Sequence, residues 1–238
     1  MRRRFFVQPF AGQSAVLEGD AAHHLGRVLR AQQGQLYELS DGTRVWLGRI
    51  ETVARDRIDF ALVEEIPSYP PAVDVTLLLS VVKFDAFEWA IEKATELGVS
   101  TIVPLAAARS EKALLAAASK RHERWKKIAT EAAQQSRRLR VPILEPLIRP
   151  EQAVRSHRAG ACIVLSERAD APPLREVLAG EPARKAALAT GPEGGWTDEE
   201  LGAVTRAGFR EASLGKLILR TETAVVAAMA SLNYALCA

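Results

Sequence analysis

The chain has 238 residues, of which 48% are hydrophobic and 26% charged, and its formal net charge is only +3. At roughly 150 residues per domain this is one large domain or one with a small companion, and no run approaches the ~18 apolar residues of a membrane-spanning helix. Two cysteines (Cys162 and Cys237) and four histidines without metal-ligand spacing exclude a disulfide framework and a four-cysteine zinc site, so a reduced, cytoplasmic protein with no metal and no membrane association is expected.

Met1 to Val7 begins in the manner of a signal peptide, but Gln8, Pro9, Gly12 and Gln13 interrupt any apolar core. The first ~68 residues read as short strands and turns. A helical piece covers Ala21 to Arg30. Leu36 to Leu39 and Val45 to Ile50, separated by the turn signal Ser40-Asp41-Gly42, form a hairpin pattern, and Arg57 to Val63 alternates as a half-buried strand. The run Ile66-Pro67-Ser68-Tyr69-Pro70-Pro71 stiffens a linker, giving domains over residues 1–69 and 73–238.

Beyond the linker, strands alternate with helices, the pattern of a mostly parallel α/β sheet. Val73 to Val82 is apolar enough for a strand buried on both faces. Asp85 to Glu88 has capping-box form, Phe87, Ala90, Ile91 and Ala94 make a helical stripe, and Gly98 stops that helix. Thr101 to Leu105 is a strand. Ser119 is placed to cap a helix with Trp125, Ile128, Ala129 and Ala132 on its apolar side. Ala161 to Leu165 and Ala186 to Thr190 are further strands, Thr197 to Glu200 is a second capping box, and Thr221 opens a last helix striped by Val225, Ala228, Met229 and Leu232.

The small net charge hides an uneven distribution. Residues 1–70 balance nine basic against nine acidic side chains, whereas residues 109–149 carry eleven basic against four acidic. Such a cluster, with Arg2-Arg3-Arg4 and nearby Arg27 and Arg30, suits a phosphate backbone, although a solvated helix face gives the same composition.

Two segments carry chemistry. Gly191-Pro192-Glu193-Gly194-Gly195 follows a buried strand and precedes a capped helix, at the strand end where ligands collect in a parallel sheet. It fits neither the dinucleotide fingerprint nor the phosphate loop, and taken alone reads equally as a turn. Leu214 to Ala224 runs from an apolar stretch into Arg220, Thr221, Glu222 and Thr223, which suits a ligand with an apolar and a charged part; the plain alternative is capping by Thr221 with Arg220 paired to Glu222. No Ser-His-Asp constellation is present.

Five segments, in this order, resemble the bacterial 16S ribosomal RNA uridine-N3 methyltransferases, the RsmE family, which act on uridine 1498: residues 22–30, 93–99, 135–142, 191–195 and 214–224. Two positions depart from the family, which often has Gly where Arg137 stands and Asn where Leu139 stands. The resemblance implies a SPOUT-type parallel sheet with a C-terminal trefoil knot, a small N-terminal PUA-like β-barrel that binds RNA, a homodimer, and S-adenosylmethionine as donor, with S-adenosylhomocysteine as product. Carried over by motif, the donor pocket comprises Leu165, Ser166, Thr190, Gly191, Pro192, Gly194, Gly195, Leu214, Gly215, Leu219, Arg220 and Thr223. Arg138, with Arg220 as second choice, is expected to stabilise the uracil anion, and Glu193 or Glu222 to take the proton. The expected contacts to 16S rRNA in the small subunit are Arg3, Arg4, His24, Arg27, Arg30, Lys83, Arg109, Arg124, Arg138 and Arg140. Three other readings stay open: a SPOUT methyltransferase acting on a different RNA or atom, a non-catalytic RNA-binding protein, and a nucleotide-dependent enzyme, against which the absent phosphate-loop Lys-Ser/Thr counts.

Overall fold

The computed structural model describes residues 3–158, 160–179 and 183–236; Arg2 and Cys237 lie outside them. The chain divides at Pro70 and Pro71 into two compact units, and Ala133–Val141 belongs with the first.

The N-terminal unit contains β1 (Arg4–Phe6), β2 (Ser14–Glu18), α1 (Gly19–His23), β3 (Leu36–Ser40), β4 (Val45–Val53) and β5 (Arg57–Ile66). Their sheet order is β1-β3-β4-β5-β2, antiparallel except for the parallel β1–β3 pair. The expected hairpin is β3–β4, paired from Leu36 opposite Arg49 to Ser40 opposite Val45. Register shifts at Leu47/Gly48 and Ile50/Thr52 bend β4 and curl the sheet into a half-barrel. A side chain at Gly48 would collide with Leu39, so the bend requires glycine there. The hollow is filled by Phe5, Leu17, Leu25, Leu39, Ile50, Ile58 and Phe60.

The helical piece expected over Ala21 to Arg30 begins earlier and ends sooner: α1 passes into a π-helical turn over His24–Val28, and Arg30 takes a left-handed φ of 53° that ends helical geometry. Residues 133–141 join this unit through polar contacts. Ser40 Oγ donates to the Leu139 carbonyl, and Arg4 Nη1 to the Arg137 carbonyl.

The second unit alternates β6 (Asp74–Ser80), α2 (Phe84–Glu96), β7 (Thr101–Leu105), α3 (Lys112–Gln135), β8 (Ile143–Leu144), α4 (Pro150–Ser156), β9 (Ala161–Leu165), α5 (Leu174–Leu178), β10 (Lys185–Thr190), α6 (Asp198–Arg206), β11 (Arg210–Ala212) and α7 (Thr221–Leu236). Every pairing is parallel, in the order β11-β9-β10-β6-β7-β8. Every residue of β9, and Ala186 to Thr190 of β10, is buried, which is why those segments read as unbroken apolar runs.

Two helix starts differ from expectation. Asp85 does not cap α2: the N-cap is Lys83, no side chain caps it, and Asp85 sits in the first turn, where the helix dipole favours a carboxylate. Glu88, expected to complete that box, is buried and accepts from Arg124 Nε at 2.8 and 2.9 Å. Ser119 does not cap α3, which starts seven residues earlier at Lys112, because Ala113 to Ala118 contains only Ala and Leu, the residues that favour helix most. Trp125 is buried as expected, with its ring centroid 4.5 Å from that of Phe87. Gly98 ends α2 with φ 94°, and the Thr197 to Glu200 box forms in full.

Candidate functional site

The ends of β9 and β10 open into a cleft of about 1220 Å³ within the second unit. Four pieces build most of it, with Arg109 from the loop after β7 and Asp198 and Leu201 of α6 completing the lining. Leu165, Ser166, Glu167 and Arg168 follow β9; Thr190, Gly191, Pro192, Glu193, Gly195 and Trp196 follow β10; Ser213 to Ala224 runs from β11 into α7; and Lys83, Asp85, Ala86 and Trp89 come from the start of α2. The α2 start reaches the cleft because β6, which precedes it, lies directly beside β10.

The loop after β10 is held on several sides. Trp196 Nε1 donates to the Leu165 carbonyl at 3.0 Å, and its indole packs so closely on Gly191 that a Cβ there would sit 3.1 Å from Nε1. Thr221 Oγ1, at the first residue of α7, donates to the Gly191 carbonyl at 3.2 Å, so this hydroxyl ties the two candidate loops together. Gly195 has φ 68° and Gly215 φ 130°, conformations that L side chains rarely adopt. At the foot of the loop, Thr190 Oγ1 is buried without a hydrogen-bond partner among the described residues. A buried hydroxyl in that state is costly unless something completes it.

Among the described residues no three His, Cys, Asp or Glu side chains are grouped to hold a metal ion, and no helix is long and apolar enough to cross a membrane.

A family model for the RNA methyltransferase domain matches residues 69–233, and one for the RNA methyltransferase PUA domain matches residues 17–63. The ribosomal RNA small subunit methyltransferase E of Synechocystis is 36% identical over 217 residues, covering 89% of this chain and 70% of that protein. Its Bacillus subtilis namesake is 31% identical, covering 92% and 89%. A crystal structure of the Neisseria gonorrhoeae methyltransferase E bound to S-adenosyl methionine superposes with a TM-score of 0.88 at 29% identity, covering 98% of each chain. The chain belongs to the ribosomal RNA small subunit methyltransferase E family.

Within this methyltransferase the cleft brings together Leu165, Ser166, Thr190, Gly191, Pro192, Gly195, Leu214, Gly215, Leu219, Arg220 and Thr223, as well as Glu193, Glu222, Lys83 and Arg109. Gly194 lies in the same loop with its carbonyl turned to Arg109, whose Nη1 donates to it at 2.8 Å. No ion pair joins Arg220 to Glu222 among the described residues, so both remain available to the cleft.

Arg138 sits in the N-terminal unit, not among these residues. It is buried, and desolvation brings its guanidinium down to about 10, which leaves it cationic at neutral pH. Arg3, His24, Arg27, Arg30 and Arg140 share that unit. Arg27, Arg30 and Arg140 are exposed, and Arg3 Nη1 lies 3.5 Å from His24 Nε2.

Arg4 is a correction. Instead of facing a phosphate, it is buried, with Nε and Nη2 on Glu38 and Nη1 on the Arg137 carbonyl, because Glu38 stands opposite it on β3. Arg124 and Arg109 are exposed but already engaged, the first by the Glu88 carboxylate, which raises its pKa, and the second by Gly194. Sequence reasoning missed most of the α2 wall, Trp196 and Glu167 as cleft residues, and it did not foresee that Thr221 ties the two loops together. The indole directly after the glycine loop was the available signal for Trp196; nothing local marked α2.

Proposed function

We propose that the cleft holds S-adenosylmethionine and that the protein methylates N3 of a uridine in 16S ribosomal RNA, the uridine 1498 equivalent, in the small subunit. The observation that carries this reading is the convergence of the 191–195 and 214–224 loops, joined by Thr221, over the buried and unpartnered Thr190 hydroxyl. The residues present fit such a donor. Leu165, Leu214 and Leu219 offer an apolar wall, and the positive φ of Gly195 and Gly215 brings backbone close to a ligand without a Cβ between.

When bound, the donor supplies a methyl group already activated by its sulfonium, so the chain's own tasks are alignment and proton removal. Uracil N3 becomes nucleophilic once its N–H proton leaves, and Glu193 and Glu222 are the carboxylates of the two loops placed to accept it. Arg138 meets the charge that develops on the uracil, its buried cation forming charge-assisted hydrogen bonds; Arg220, inside the cleft, is the second choice. Residues 1–69 form the RNA-binding domain, with Ala133–Val141 grouped in the same unit, and the rest of 73–238 the transferase. Arg3, His24, Arg27, Arg30 and Arg140, with Lys83, Arg109 and Arg124, meet the RNA backbone.

The SPOUT trefoil knot is part of this proposal. In its support, β10 is laid between β9 and β6, two strands earlier in the chain, and the start of α7 is bonded to the loop after β10. A homodimer is also proposed: Leu217, Ile218 and Tyr234 are 83%, 82% and 91% exposed, apolar surface that a second copy would cover. A cytoplasmic location follows from the ribosomal substrate.

The test is transfer from labelled S-adenosylmethionine to purified small subunits lacking the modification, with product nucleosides resolved by mass spectrometry. Label in 3-methyluridine of 16S rRNA is expected. Donor binding without label on that RNA would move the substrate to another RNA, and failure to bind the donor would end the enzyme reading.

A further inference from the structure

The Gly194 carbonyl is fixed by Arg109, which reaches it from the loop after β7, and the Arg109 stem runs so close beneath Gly194 that an added Cβ would lie 3.3 Å from Arg109 Cβ. Two bonds pin the backbone that carries Arg109. On one side Ser110 Oγ, in a buried residue, donates to the Val81 carbonyl at 2.7 Å. On the other side Ala108 N donates to Glu200 Oε1 at 2.7 Å. Glu200 is 4% exposed, and its other oxygen accepts from Thr197 N at 3.1 Å and Thr197 Oγ1 at 3.2 Å. A capping box needs only the contacts to Thr197. The bond to Ala108 serves no helix. It joins the loop carrying Arg109 to the first turn of α6, the helix that follows the glycine loop.

We propose that Glu200 is a positioning residue: through Ala108 and Arg109 it holds the Gly191 to Gly195 loop in the form that receives the donor. The inference rests on the reading of the cleft as the S-adenosylmethionine site. Glu200→Gln keeps the volume but loses the charge, and its amide nitrogen must face one of the two N–H groups. Thr197→Ala breaks the helix cap and leaves Oε1 on Ala108.

The experiment pairs calorimetric titration of S-adenosylmethionine with amide hydrogen exchange on the full chain. Glu200→Gln is expected to weaken donor binding about tenfold or more, the scale of one lost charge-assisted hydrogen bond, and to speed exchange across residues 191–195. Thr197→Ala is expected to lower thermal stability, keep the donor dissociation constant within about twofold, and leave that exchange unchanged. Arg109→Met, an exposed change that keeps the stem and spares α6, should reproduce the faster exchange even if Glu200→Gln folds poorly. Equal effects of Glu200→Gln and Thr197→Ala, or wild-type exchange in Arg109→Met, would overturn the proposal. Should the wild-type protein not bind the donor, the donor reading fails, while exchange at 191–195 still decides whether the tether exists.

Discussion

Arg4 and Glu38 stand opposite each other in the parallel β1–β3 pairing, with Arg4 Nη2 2.9 Å from Glu38 Oε2 and both side chains only 8% exposed. Arg137 Nη1 adds a second cation 3.6 Å from Glu38 Oε1. A buried pair is weak evidence of net stability, but stranding one member is costly. Arg4→Met and Glu38→Leu should each destabilise the protein by about 3 kcal/mol, and the double variant by clearly less than their sum. Urea unfolding of the four proteins measures this. Simple additivity would show that the two charges do not depend on each other.

Arg137 has φ 55°, in the left-handed region where a Cβ is strained. A glycine would hold this conformation without that strain. Comparing Arg137→Gly with Arg137→Ala removes the same side-chain contacts and leaves only the backbone effect. The glycine variant should be the more stable by about 1 kcal/mol in thermal unfolding. Equal melting temperatures would mean the backbone relaxes away from the left-handed region.

Local chemistry was the legible part of this chain. The Thr197 to Glu200 box, the stop at Gly98 and the unbroken apolar strands each depend on neighbours within a few positions, and each stands as read. The loop after β10 was legible for the same reason, as a glycine-rich turn leaving a buried strand. The 214–224 segment was legible by its apolar run into Arg220, Thr221, Glu222 and Thr223, although the strand before it, β11, buries only Ala212. What long-range pairing decides was not legible. Nothing near Phe84 says that β6 lies beside β10 and so brings α2 to the cleft. Nothing near Arg4 reveals Glu38 across the sheet, so a buried ion partner read as an RNA contact. Nothing near Arg109 reveals the Gly194 carbonyl, 85 positions away, to which it donates.

Burial lowers Arg138 to about 10, and a conservative substitution turns this into a pH signal. The sign follows from linkage. The unfolded chain keeps the arginine proton to higher pH than the folded one, so burying the cation costs stability below about 10, and that cost is relieved as pH rises above it. The wild-type cation therefore stays intact from pH 7 to 9. A lysine subject to the same desolvation would be pushed below its ordinary value and lose its proton at lower pH than the arginine. The ratio of Arg138→Lys to wild-type single-turnover methyl transfer should fall steadily between pH 7 and 9, while the wild type keeps its cation. A flat ratio would remove Arg138 from the reaction and leave it a packing role.

The two glycines that end the loop after β10 should differ in their tolerance of a methyl group. At Gly195, φ is 68° and an added Cβ would lie 3.0 Å from Glu167 Oε1, so Gly195→Ala combines backbone strain with a close polar contact. At Gly194 φ is not positive, so an alanine carries no left-handed strain there, and its Cβ would lie 3.3 Å from Arg109 Cβ, a contact relieved by a few tenths of an ångström of movement in the loop. Strain of about 1–2 kcal/mol at Gly195 must be borne by the folded loop or relieved by moving it. Gly195→Ala should therefore weaken S-adenosylmethionine binding about tenfold, and Gly194→Ala severalfold less. Titration calorimetry on both variants checks the order. The reverse order would mean that the hold of Arg109 on Gly194, not the left-handed turn at Gly195, sets the shape of the loop.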